Sequence, residues 1–92
     1  MTDSAELEAR ERLARLWIEA EPAVRAFVFA SISRFSDAED VVQKVALTVA
    51  RRFDEYDGER SFEAWAIWLA KSRVIDHYRV SCHSGQARMA LL

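Results

Sequence analysis

Apolar residues at helical spacing follow one another along most of this chain, and no segment alternates apolar and polar with period two. A half-buried strand needs that alternation, so a sheet is excluded and the core must come from helix packed on helix. The chain has one proline and two glycines, so few points can interrupt a helix. With 51% apolar residues over 92 positions, a single domain can bury a core without disulfides or metal. The expected architecture is all-α, a compact bundle of three to four helices.

Local signals divide the chain. A charged stretch from about Ser4 to Ala20 carries Leu13, Leu16 and Trp17 as its apolar stripe. Pro22 stands where a first helical turn tolerates it, which predicts a second helix through Val24, Phe27, Val28 and Ile32 to an exit near Phe35. Ser36 followed by Glu39 is a capping-box pattern, which predicts a third helix from about Asp37 to Phe53. The loop Asp54–Arg60 contains Gly58, and Ser61 can cap a fourth helix ending near Arg79. Residues 1–80 thus form the helical domain, with its N-terminal helix over 4–20. Residues 81–92 lack a clear pattern and read as a tail or the start of a linker.

Two helix faces exceed what a core needs. On the third helix Val41, Val42, Val45, Ala46, Val49, Ala50 and Phe53 make the core arc. Asp40, Gln43, Lys44, Leu47 and Arg51 lie opposite, and a leucine among polar neighbours suits a docked partner as well as an ordinary surface. On the fourth helix Phe62, Trp65, Ala66, Leu69 and Ala70 make the core arc, while Trp68, Ser72, Ile75 and Arg79 project from another side. Trp68 therefore needs a cover: another helix of the domain, a base, or a protein partner. Arg73 falls within the core arc, where periodicity offers no account of it.

Composition narrows the chemistry. His77, Cys82 and His83 are the only soft ligands and fit no closed zinc site; Asp54, Glu55, Asp57 and Glu59 crowd one loop without calcium-loop spacing. No phosphate-loop, dinucleotide or nucleophile-elbow motif occurs, so neither an enzyme, a metal site nor a cofactor is expected. The lone cysteine points to a reducing compartment. The charged start and the lack of a membrane-length apolar run lead to the expectation of a soluble cytoplasmic protein with no membrane partner. The net charge is −2, yet six acids face three bases up to Pro22 and five bases face two acids from Arg60 onward. Such a split suits a protein that meets two surfaces of different sign.

Four blocks in order carry a resemblance: AEDVVQ at Ala38–Gln43, FDEYD at Phe53–Asp57, FEAW at Phe62–Trp65 and DHYR at Asp76–Arg79. From about Trp17 to Arg79 the chain resembles region 2 of sigma-70 family transcription factors, most closely the extracytoplasmic-function (ECF) group.

The resemblance implies a non-enzymatic bacterial transcription initiation factor. It implies that Asp40, Gln43, Lys44 and Leu47 dock on the coiled coil of the largest subunit of core RNA polymerase. It implies that Tyr56, Arg60, Ser61, Trp65, Trp68, Lys71, Ser72 and Arg79 recognise and melt the promoter −10 element, stacking on unpaired bases of the non-template strand. Base capture on aromatic faces with cations for phosphates is chemically suited to that task. An anti-sigma factor is a further partner the family allows. The chain departs from the pattern at Lys44, where an acid is usual, and at Ser72, where asparagine is usual. Nothing after Arg79 resembles region 4, the helix-turn-helix that reads the −35 element, so the expectation is an isolated region 2 with feeble promoter binding alone. A rival reading is a sigma-like protein-interaction module that binds polymerase or an anti-sigma factor without engaging DNA.

Overall fold

The structure, a computed structural model, describes the backbone of residues 3–91 and the side chains of residues 3–80. Helix α1 spans Ser4–Ser31, α2 spans Phe35–Arg51 and α3 spans Phe62–Leu91, with a short 3-10 turn at Phe53–Glu55. No strand occurs among the described residues. Nor is any helix long and apolar enough to cross a membrane among them.

Valines dominate the core. Val24 and Val28 of α1 meet Val41, Val45 and Val49 of α2 and Leu69 of α3, all essentially without solvent contact. Phe62, Trp65, Ala66 and Ala70 complete the buried arc of α3, as its periodicity predicts. On α2 the predicted arc holds at Val41, Val42, Val45 and Val49, but Ala46 is half-buried and Ala50 is exposed, and Phe53, half-buried, falls beyond the helix in the 3-10 turn.

Three local expectations are corrected, and one unexplained residue finds its place. The first two predicted helices are one, because α1 continues through Pro22. Proline removes one intrahelical hydrogen bond, the one to the Ile18 carbonyl, and Ile18 and Pro22 both lie on the solvent side. Burial of Ala20, Val24 and Val28, with an Arg25–Glu21 ion pair at 2.6 Å across the same turn, holds the helix together.

The capping box does not form. Helix α2 begins at Phe35, its cap Arg34 makes no side-chain cap bond, and Glu39 pairs instead with Arg25 of α1. Arg73 of α3 has a specific place: its Nε donates to Thr48 Oγ1 at 3.0 Å, and Thr48 is the one polar residue in the core among the described residues. Finally, α3 does not stop at Arg79 but runs to Leu91, over a segment without proline. The side chains of Cys82, His83 and Arg88 lie outside the described residues.

Candidate nucleic-acid and partner interfaces

The loop before α3 is built by its own polar groups. Gly58 adopts φ +80, open to glycine at little cost. Asp57 Oδ1 accepts the backbone N–H groups of Glu59 at 2.9 Å and Arg60 at 3.2 Å, and these bonds hold its carboxyl below the usual range. The Tyr56 hydroxyl donates to the Arg60 carbonyl. Ser61 then starts α3 as predicted: its Oγ accepts from Ala64 N at 3.3 Å and its carbonyl from Trp65 N at 3.1 Å.

Beneath this loop sits an aromatic wedge. The Tyr56 ring lies 5.3 Å from Phe62, 5.4 Å from Trp65 and 6.2 Å from Phe53, centre to centre. Arg12 of α1 covers it, with its guanidinium 5.7 Å from the Phe53 ring centre and 5.9 Å from that of Tyr56. The wedge bears on one of the expected site residues. Trp65 is only 7% exposed and packs on Tyr56 and Phe62, so little of its ring is open to a base. Tyr56 is half-buried for the same reason.

Trp68 is different. It is 55% exposed and borders a pocket of about 200 Å³ whose other walls are Arg60, Ala64 and Trp65. Three predicted residues, Arg60, Trp65 and Trp68, therefore meet at one place, with Trp65 as the wall rather than the platform. Ser61, Lys71, Ser72 and Arg79 are exposed, and helical spacing puts the last three on the Trp68 side of α3.

Sequence reasoning missed Arg52. Its guanidinium lies 5.5 Å from the Trp68 ring centre. It also reaches Glu55 with Nε–Oε2 at 2.6 Å and Nη2–Oε1 at 3.5 Å. That hydrogen-bonded pair lowers the Glu55 carboxyl pKa and raises that of Arg52. The i,i+3 spacing of an arginine and a glutamate across FDE was the signal available.

The second face is on α2. Asp40, Gln43, Lys44 and Leu47 are all exposed, and Leu47 is 57% accessible. Lys44 Nζ lies 3.0 Å from Asp40 Oδ2, an exposed ion pair within one turn of α2. Beside this stripe a groove of about 340 Å³ opens between α1 and α2, with Trp17, Ile18, Val42 and Ala46 in its walls and Gln43 shared with the stripe. Among the described residues no group of three or more His, Cys, Asp and Glu side chains could hold a metal ion.

The model of the Sigma-70 region 2 family matches residues 16–81, and the chain belongs to this family. It is also 37% identical over 71 residues to the ECF RNA polymerase sigma factor SigF of Caulobacter vibrioides. That overlap covers 76% of this chain but 37% of the relative, so the chain spans well under half of the relative's length. No solved structure matches.

Proposed function

We propose that this domain binds core RNA polymerase through the Asp40–Leu47 face of α2 and engages the promoter −10 element through the Trp68 face of α3. The carrying observation is Trp68 itself, a tryptophan more than half exposed beside a pocket walled by Arg60 and Trp65. A large exposed ring with cations around it offers an extruded base a stacking surface and its phosphates a counter-charge. The pocket would take an unpaired base, while Lys71 and Arg79 would position the backbone. Binding to a labelled single-stranded oligonucleotide at low salt tests this reading. It expects binding that weakens with salt and is lost in Trp68→Ala.

A second reading has one observation in its favour: Arg52 already covers part of the Trp68 ring. Were that contact the whole purpose of Trp68, the domain would be a protein-interaction module, binding polymerase or an anti-sigma factor without DNA. Folded wild type that binds no single strand would select that reading.

A further inference from the structure

The cation on Trp68 is itself held by an exchangeable partner, and that arrangement has a use. Resting on the strand-binding role of the Trp68 face, we propose that Arg52 is a phosphate-binding residue of this site, held by Glu55 in the free domain and transferred to a backbone phosphate when a single strand lies across Trp68. Its planar guanidinium grips Glu55 through two nitrogens and both carboxylate oxygens, the fork geometry in which arginine also binds a phosphate. A phosphate can therefore take the place of the carboxylate with little change in the arginine.

The exchange is energetically open. Both partners are solvent-accessible, at 41% for Arg52 and 53% for Glu55, and exposed pairs of this kind are weak. The other arginine at the site is held differently. Arg60 lies 3.7 Å from Asp57 Oδ2, but the Asp57 carboxylate is also committed to the N–H groups of Glu59 and Arg60 and so maintains the loop. The Glu55 carboxylate makes no such backbone bond among the described residues, so its release from Arg52 breaks no side-chain bond to the loop backbone.

The arrangement also reconciles strand binding with a net charge of −2. Each arginine beside Trp68 is neutralised by a carboxylate within three residues of it. These two arginines therefore present little free positive charge until a phosphate competes for them. Glu55 acts as an internal competitor.

The test is fluorescence anisotropy of a fluorescein-labelled oligodeoxythymidylate titrated with the 92-residue chain over a range of salt. The variants are Trp68→Ala, Arg52→Gln, Glu55→Gln, Glu59→Gln and the double variant Arg52→Gln/Glu55→Gln. Loss of the Arg52 contact should weaken binding and lower the slope of log K against log salt by about 0.7. Removing the competitor in Glu55→Gln should strengthen binding by up to about fivefold, the range set by an exposed ion pair. Glu59→Gln removes the same charge from the same loop, and its side chain pairs with no arginine among the described residues. The Glu55→Gln gain should exceed the Glu59→Gln gain and should vanish in the double variant.

Equal gains in the two glutamate variants, or a salt slope unchanged in Arg52→Gln, would overturn the role of Arg52 while leaving Trp68-dependent binding intact. Wild type that fails to bind, or binds equally without Trp68, would overturn the parent reading and this inference with it. Circular dichroism of each variant separates lost contact from lost fold.

Discussion

Arg73 reaches from α3 into the interface with α2 and donates its Nε proton to Thr48 Oγ1 at 3.0 Å. Thr48 is 8% exposed, and its hydroxyl also donates to the Lys44 carbonyl at 2.8 Å. One small hydroxyl thus links a long cation of α3 to the backbone of α2. Thr48→Val keeps the shape and removes the acceptor, leaving the Arg73 N–H without it. The expected cost is about 1–2 kcal/mol, read by urea denaturation. Arg73→Met alongside Thr48→Val should cost little more than Thr48→Val alone, because the two residues act as a pair.

The tryptophans should separate cleanly. Trp65 is enclosed by Tyr56 and Phe62, so Trp65→Ala opens a core cavity and should cost about 3–5 kcal/mol, enough to unfold much of so small a domain. Trp68→Ala removes an exposed ring and a contact with Arg52, and should cost no more than about 1 kcal/mol. Thermal melts of the two variants make the comparison. A Trp68→Ala variant as unstable as Trp65→Ala would make Trp68 a structural residue.

Gly58 is the point where the loop is least tolerant. At φ +80 an added Cβ meets strain, and it would also lie 3.1 Å from Arg12 Nη2, the guanidinium that covers the aromatic wedge. Gly58→Ala should destabilise by about 1 kcal/mol or more. It should also disturb the Tyr56 and Phe53 ring signals in NMR spectra. Unshifted signals would show that Arg12 and the loop are not coupled.

Acid should loosen this loop. The Glu55 carboxyl is held below its ordinary range by its hydrogen bond to Arg52, and Asp57 by the Glu59 and Arg60 N–H groups. Both groups have folded pKa values lower than their unfolded ones. Their contribution is therefore complete above the ordinary carboxylate range near about pH 4 and is lost as pH falls through the depressed folded values. Carboxyl NMR titration should show both below the usual range, with Glu55 returning to it in Arg52→Gln and Asp57 unmoved. Glu55 titrating normally in wild type would contradict the pairing.

The core arcs of α2 and α3 were legible because one element's periodicity decides which side is buried: Val41, Val45 and Val49, and Phe62, Trp65 and Leu69, lie where spacing puts them. The projecting stripe of Trp68 and Ile75 followed from the same rule, and both are about half exposed. What escaped depended on distant partners. Glu39 looked like a local cap but pairs with Arg25, fourteen residues away, and Arg73 made sense only with Thr48, 25 residues away. Pro22 misled because a proline signals a break only where its neighbours lack burial, and Ala20, Val24 and Val28 supply it. Trp65 appeared in both the core arc and the implied strand-binding set, and burial assigns it to the core.

The central claim is that a sigma-70 region 2 domain uses the α2 face to meet polymerase, and Leu47, 57% exposed between polar neighbours, is its most direct probe. The decisive measurement is calorimetric binding of this chain to the isolated coiled coil of the largest polymerase subunit, with wild type and Leu47→Asp compared at matched helicity. The account predicts that wild type binds and that Leu47→Asp loses at least about tenfold in affinity, about 1.4 kcal/mol. Folded wild type that does not bind, or a Leu47→Asp variant that binds as well, would contradict it.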